Sequence, residues 1–205
     1  LFRMGTRRKA RSFCAGIAVL LVIFVSPLCA LTAALFAARA VHHLLLVGLA
    51  APLLALAGVG PRRVPLGAAA AVHALVFWAW HAPGLYAWAL ASASGYWLMQ
   101  ASLLGSALVF WRATLRPDMQ GLAGAAVMIA FAAQMGFLSA LLTFAPAPLY
   151  GPHLLTTQAF GLGPLEDQQL AGLIMWTLGM APYLAAALWL ALSGNPRDRA
   201  EAAMR

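Results

Sequence analysis

The sequence predicts an all-α integral membrane protein, a bundle of about six transmembrane helices with both termini in the cytoplasm. Three observations carry that expectation. Of the 205 residues, 63% are hydrophobic and only 9% charged, and mean hydropathy is +0.85; a water-soluble domain carries roughly 25% charged residues. So few charges cannot coat a water-facing surface. The apolar runs are long and continuous, without the strict alternation of a membrane β-barrel, and backbone in hydrocarbon must bond to itself, which leaves helices. Finally, the basic residues alternate from connection to connection.

Six apolar runs can be marked: 13–38, 41–59, 64–80, 95–111, 122–145 and 169–192. At about 20 residues per span they fill the chain, so residues 1–205 form a single transmembrane domain. Gly, Pro and Arg punctuate them, as in Gly60-Pro61-Arg62-Arg63, His81-Ala82-Pro83-Gly84 and Arg116-Pro117-Asp118. The first run follows Arg3, Arg7, Arg8, Lys9 and Arg11 as in a signal sequence. It exceeds the roughly 7–15 apolar residues of a cleaved signal and reads as a retained anchor.

The net charge of +8 reflects topology rather than nucleic-acid binding, because the basic residues sit in short clusters between apolar runs. Twelve of the 13 Lys and Arg residues fall in the N-terminal tail, the second and fourth connections and the C-terminal tail. Those segments belong in the cytoplasm by the positive-inside rule, and an even number of spans follows. Arg39 is the exception. If the first run is one helix, Cys14 and Cys29 lie about 22 Å apart along its axis, too far for a disulfide, and read as small packing residues.

The opposite side differs in kind. It gathers Arg39, His42, His43, His81, His153, Glu166 and Asp167 with Tyr86, Trp88, Tyr96, Trp97 and Tyr150. The aromatics are interfacial anchors. Imidazole binds transition metals and haem iron, yet an interfacial histidine also bonds well to water or lipid headgroups. The second run begins on this side and the third ends there, which sets His43 and His81 at similar depth. His73 is mid-span, where an ionisable group is costly and is either bonded to a neighbouring helix or functional. It lies about 12 Å along the helix from His81 and about 80° around it, so the two cannot share an ion on a straight helix. Met135, Met175 and Met180 offer soft thioethers that suit Cu(I), or adaptable packing. Glu166 and Asp167 precede the last run, where carboxylates cap a helix N-terminus; partner docking or metal binding are the other readings. The loop from Thr143 to Tyr150 is stiffened by Pro146 and Pro148 and suits a rigid contact surface.

No Ser/His/Asp set, nucleotide loop or HExxH stands in the chain, and the spans lack paired acids. No enzymatic activity is expected. A b-type haem carrier using His43 and His81, and a small-solute transporter using Gln100, Gln134 and His73, remain open as alternatives on the residues alone.

Five segments recur in order in one family: His43-Leu44-Leu45-Leu46 with Pro52; Trp80-His81-Ala82-Pro83-Gly84-Leu85-Tyr86; Phe110-Trp111; Leu142-Thr143-Phe144-Ala145-Pro146-Ala147-Pro148-Leu149-Tyr150; and Leu165-Glu166-Asp167-Gln168-Gln169-Leu170-Ala171-Gly172-Leu173-Ile174-Met175-Trp176. Together they resemble the multi-span CtaG-like cytochrome c oxidase (caa-type) assembly factors of bacteria, over residues 39–192. The resemblance implies a multi-pass protein of the bacterial cytoplasmic (inner) membrane that helps mature a haem–copper oxidase. A cytochrome c oxidase subunit is its implied partner, beside the lipid bilayer, and copper its implied cargo at the outer face. By motif position His43, His81, Glu166 and Asp167 carry over as candidate metal residues, with His42 and His153 as supplementary ligands. Two positions depart from the family pattern: Arg39 and Gln100 stand where the family typically has histidines.

Overall fold

The structure is a computed structural model that describes residues 5–61, 63–116 and 121–193. The basic residues Arg3, Arg62, Arg197, Arg199 and Arg205, used above for topology, lie outside the described residues.

All regular structure among the described residues is helical: α1 (Thr6–Val25), α2 (Pro27–Ala34), α3 (Phe36–Leu45), α4 (Ala51–Ala57), α5 (Leu66–His81), α6 (Pro83–Ala91), α7 (Ala93–Thr114), α8 (Leu122–Thr143), α9 (Pro164–Ile174) and α10 (Ala181–Ser193). A π-turn, Leu46–Ala50, joins α3 to α4, and a second, Met175–Gly179, leads from α9 towards α10. Among the described residues, three stretches can cross a membrane by length and composition: Phe36–Ala57, Leu122–Thr143 and Pro164–Ser193. The bent pair α1–α2 brings the number to four if it is one span, and α5 is apolar but shorter. Large apolar side chains such as Val25, Leu75, Phe137 and Leu188 point outward from these helices, as a hydrocarbon solvent allows and water does not.

The first apolar run is not one helix. The chain bends by 53° between α1 and α2, where Ser26 is extended, its Oγ accepts the Leu28 amide at 3.2 Å, and Pro27 opens the next helix. Proline lacks the amide that would continue α1 and is well placed in a first turn. A second break at the extended Leu35 starts α3 five residues earlier than the sequence suggested. Arg39 is therefore a helical residue rather than part of a connection, in the same helix as His42 and His43.

Each π-turn is followed closely by a proline, Pro52 and Pro182. In an i→i−5 turn the carbonyl opposite Pro52 is that of Val47, and proline cannot donate to it. The indole of Trp111 on α7 does so instead, at 2.8 Å, leaving no bare carbonyl in an apolar medium. Each π-turn packs against a neighbouring helix: a Cβ on Gly48 would lie 3.1 Å from Pro182 Cγ of α10, and one on Gly179 would meet Leu44 Cδ2 of α3 at 2.8 Å and Met135 Sδ of α8 at 2.9 Å. Behind them lies an aromatic layer in which Tyr183 stacks on Phe131 (4.9 Å) and Trp111 (5.2 Å), and His73 on Phe131 (4.7 Å). His73 is thus a core histidine. Its Nδ1 meets Ser106 Oγ at 2.9 Å.

The bundle has two chemically distinct ends. Arg112 donates to Ala55 O at 3.3 Å and Arg116 to Val64 O at 3.4 Å, so the end of α7 lies beside the connection from α4 to α5. α1 packs against α4, a Cβ on Gly16 falling 2.9 Å from Leu54 Cγ, and the exposed Arg7, Arg8, Lys9 and Arg11 open α1. The opposite end of α5 carries His81, whose carbonyl accepts from Tyr150 Oη at 2.9 Å. The described basic clusters and the His81 end of the bundle thus sit roughly 24 Å apart along α5.

Candidate functional site

The histidine-bearing end is tied together by Asp167. Its Oδ2 accepts the Phe36 amide at 2.7 Å and its Oδ1 the Ala37 amide at 3.1 Å, so a carboxylate on α9 caps the N-terminus of α3. The first amides of α3 have no acceptor of their own, and a negative charge there suits the helix dipole. Glu166 is exposed and caps its own helix, Oε2 accepting the Gly163 amide at 2.7 Å. Gln168 closes the same corner, its Oε1 accepting from Leu149 N (2.7 Å) and its Nε2 donating to Leu142 O (3.2 Å).

His153 is equally engaged. Its Nδ1 lies 3.2 Å from Ala34 O, which can only accept, so Nδ1 carries the proton and Nε2 accepts from Tyr86 Oη at 2.6 Å. Burial favours the neutral ring and lowers its pKa from the ordinary value of 6.5. Tyr150, stacked on Phe36 at 4.2 Å, has its phenol pushed up by burial. His42 is fully buried between helices, edge-on to Phe24 at 5.0 Å and beside the Ile23 backbone.

His43 and His81 do come together. They line one small cavity from α3 and α5, along with Phe36, Arg39, Phe77, Trp80, Tyr86, Met135 and Met175. His81 Nδ1 lies 2.7 Å from Phe77 O; the carbonyl forces the proton onto Nδ1 and leaves Nε2 with its lone pair. His43 Nε2 is buried with no hydrogen-bond partner. The cavity measures about 20 Å³, room for a water-sized occupant. His42, His153, Glu166 and Asp167 do not line it. Among the described residues no group of three or more His, Cys, Asp or Glu side chains is close enough to hold a metal ion.

On sequence alone Met135 and Met175 are either soft donors or packing residues. Their presence here depends on α8 and the second π-turn approaching α3, which close packing at Gly179 permits. No local motif marks that long-range contact, although both lie on segments facing the histidine side. Arg39 is the other unexpected wall. It is buried, donates through Nε and Nη2 to Thr32 O (3.1 and 2.8 Å), and lies 5.9 Å from the centre of the Tyr86 ring.

No curated protein and no solved structure matches this chain. The family model for the cytochrome c oxidase caa3 assembly factor (Caa3_CtaG) matches residues 3–66 and 63–194. With helices of membrane-spanning length and a match along nearly its whole length, the chain belongs to the cytochrome c oxidase caa3 assembly factor family.

Proposed function

We propose that this protein assists the maturation of a haem–copper cytochrome c oxidase by handling Cu(I) as cargo at the extracytoplasmic end of a six-span bundle in the bacterial inner membrane. Family membership supports the assembly role. The observation that carries the copper reading is the shared cavity: two imidazoles and two thioethers from four segments far apart in sequence face one small volume. Cu(I) is a soft ion that these donors suit. The Nδ1 hydrogen bond that orients His81 is the kind that fixes a metal-ligating imidazole. His43 Nε2 is a buried nitrogen in need of a partner. Asp167, Glu166 and His153 act as the frame: the first two cap α3 and α9, and His153 ties Tyr86 of α6 to the Ala34 carbonyl, which together hold the cavity walls.

The basic clusters at the other end of the bundle support cytoplasmic termini and an outward-facing cavity. A b-type haem fits poorly, since about 20 Å³ is far below the several hundred that a small-molecule pocket needs. A solute path through His73 fits poorly too, because that ring is stacked within the aromatic layer.

The test is genetic and biochemical together. Deleting the gene in its host should abolish activity of the cognate oxidase, with wild-type protein restoring it and His43→Ala plus His81→Ala failing to. Full oxidase activity in the deletion strain would remove the assembly role. Restoration by the double variant would remove the cavity from it.

A further inference from the structure

Leu44 stands between two hollows. On one side it lines the cavity of His43 and His81; on the other it lines a bilayer-facing groove of about 270 Å³. The groove runs between the two π-turns, over Gly48, Gly179 and Pro182, with the exposed Leu49 and Leu178 at its rims. Gly179 keeps the partition thin, because the place of its missing Cβ is 2.8 Å from Leu44 Cδ2 and 2.9 Å from Met135 Sδ. A leucine side chain, movable by a change of rotamer, therefore parts the imidazoles and thioethers from the groove. The way out to water is barred more firmly. Phe36 and Tyr86, both buried, close the cavity towards its outer end. Asp167 holds the Phe36 amide at 2.7 Å, Tyr150 stacks on the Phe36 ring at 4.2 Å, and Tyr86 Oη bonds to His153 at 2.6 Å. Opening that side breaks buried hydrogen bonds, which are costly to leave unmade. Opening the other side moves one apolar side chain into an apolar medium.

We propose that cargo leaves the cavity sideways, past Leu44, to an apolar transmembrane helix of the copper-accepting oxidase subunit seated in the groove. This route rests on the copper reading above and adds the docking face and the side chain that guards it. Depth selects the occupant. Leu44 and Leu49 lie roughly 12 and 20 Å along the helix from its outer start at Phe36, inside a hydrocarbon core about 30 Å thick, where no water-borne domain reaches. A lipid chain also fits the groove but brings no donor for Cu(I); a helix brings an imidazole or thioether. In the transfer Cu(I) exchanges the neutral imidazoles of His43 and His81 for such donors on the acceptor helix. The metal keeps its oxidation state and no proton moves.

Two chelators test the route. Full-length protein in nanodiscs, loaded with Cu(I), is challenged with neocuproine, a neutral chelator that partitions into lipid, and with bathocuproine disulfonate, an anionic one confined to water. At matched Cu(I)-binding strength, neocuproine should strip the metal at least tenfold faster. Leu44→Trp, which plugs the partition, should slow neocuproine about tenfold and leave the disulfonate rate unchanged, and Leu44→Ala should speed neocuproine. Equal rates for the two chelators on the wild type overturn the sideways route, whether or not the variants fold. So does a Leu44→Trp protein that loses copper to neocuproine as fast as the wild type. Docking is read separately, with a photo-cross-linking amino acid at Leu178 and at Leu49 in cells making the cognate oxidase, and at the exposed Leu75 of α5 as control. Cross-links from 178 and 49, and none from 75, to a transmembrane segment of an oxidase subunit support the docking face. Cross-links only to lipid or to a second copy of this chain, or equal yields from all three positions, overturn it. A wild type that holds no Cu(I) overturns the copper reading and the route with it; the docking face then stands or falls on the cross-links.

Discussion

Asp167 on α9 holds the Phe36 amide of α3 at 2.7 Å, across 131 residues of chain. That one bond fixes where α3 starts, and three residues later in the same helix stands Arg39, followed by His43. Replacing Asp167 with Ala strips the acceptor from two buried amides, which costs about 2 kcal/mol or more. Asp167→Asn keeps one acceptor oxygen and should lose roughly half as much. Thermal unfolding in detergent reads the order wild type, Asn, Ala.

Gly172 marks a close approach of α8 to α9. A Cβ there would lie 2.9 Å from Ser139 O and 3.0 Å from Thr143 N, besides striking the Thr143 hydroxyl. Backbone atoms cannot step aside as a side chain can, so Gly172→Ala should destabilise by about 1–3 kcal/mol. Gly105, with nothing within 4 Å of its ideal Cβ, is the control. Gly105→Ala should be neutral or stabilise by up to about 1 kcal/mol through helix propensity. Equal effects at both sites in the same unfolding assay would refute the close packing.

His153 confers a pH dependence whose sign is fixed. Its folded-state pKa is depressed below 6.5 by burial, so between that depressed value and 6.5 the unfolded chain binds more protons. Stability contributed by the neutral ring is present above pH 6.5 and is lost as pH falls through the window. His153→Gln should therefore show a shallower fall in unfolding midpoint between pH 7.5 and pH 5 than the wild type. Tyr86→Phe, which removes the 2.6 Å bond to Nε2, should lower the midpoint at neutral pH by the equivalent of about 1 kcal/mol.

The topology is open to direct labelling. Single cysteines introduced at Gly60 and at Leu155, in a background with Cys14 and Cys29 replaced by Ala, should report opposite sides of the membrane. A membrane-impermeant maleimide added to intact spheroplasts should label position 155 and spare position 60. Labelling of both from outside would contradict the assignment of the arginine-bearing connections to the cytoplasm.

What was readable from sequence follows the reach of each signal. Helical class and the placement of most apolar segments are local, and composition plus run length sufficed. The separation of arginines from histidines into two ends was readable because it needs only alternation of connections. The break at Ser26 and Leu35 was hidden inside an unbroken apolar run; Pro27 was its one local trace, and apolarity alone cannot distinguish one bent segment from a straight span. That Asp167 caps α3 rather than its own helix could not be read either, since the adjacent helix N-terminus was the nearer candidate. The convergence of His43 with His81 was legible from depth. The arrival of Met135, Met175 and Arg39 at the same cavity was not, because it depends on how α3, α8 and the second π-turn pack on one another, which no local signal fixes.

The most direct test is copper K-edge X-ray absorption on the Cu(I)-loaded wild type beside His43→Ala plus His81→Ala. The account predicts one tightly retained Cu(I) with both nitrogen and sulfur scatterers in the wild type, and loss of that ion in the double variant. A wild type that retains no copper, or a spectrum unchanged by removing both imidazoles, contradicts it.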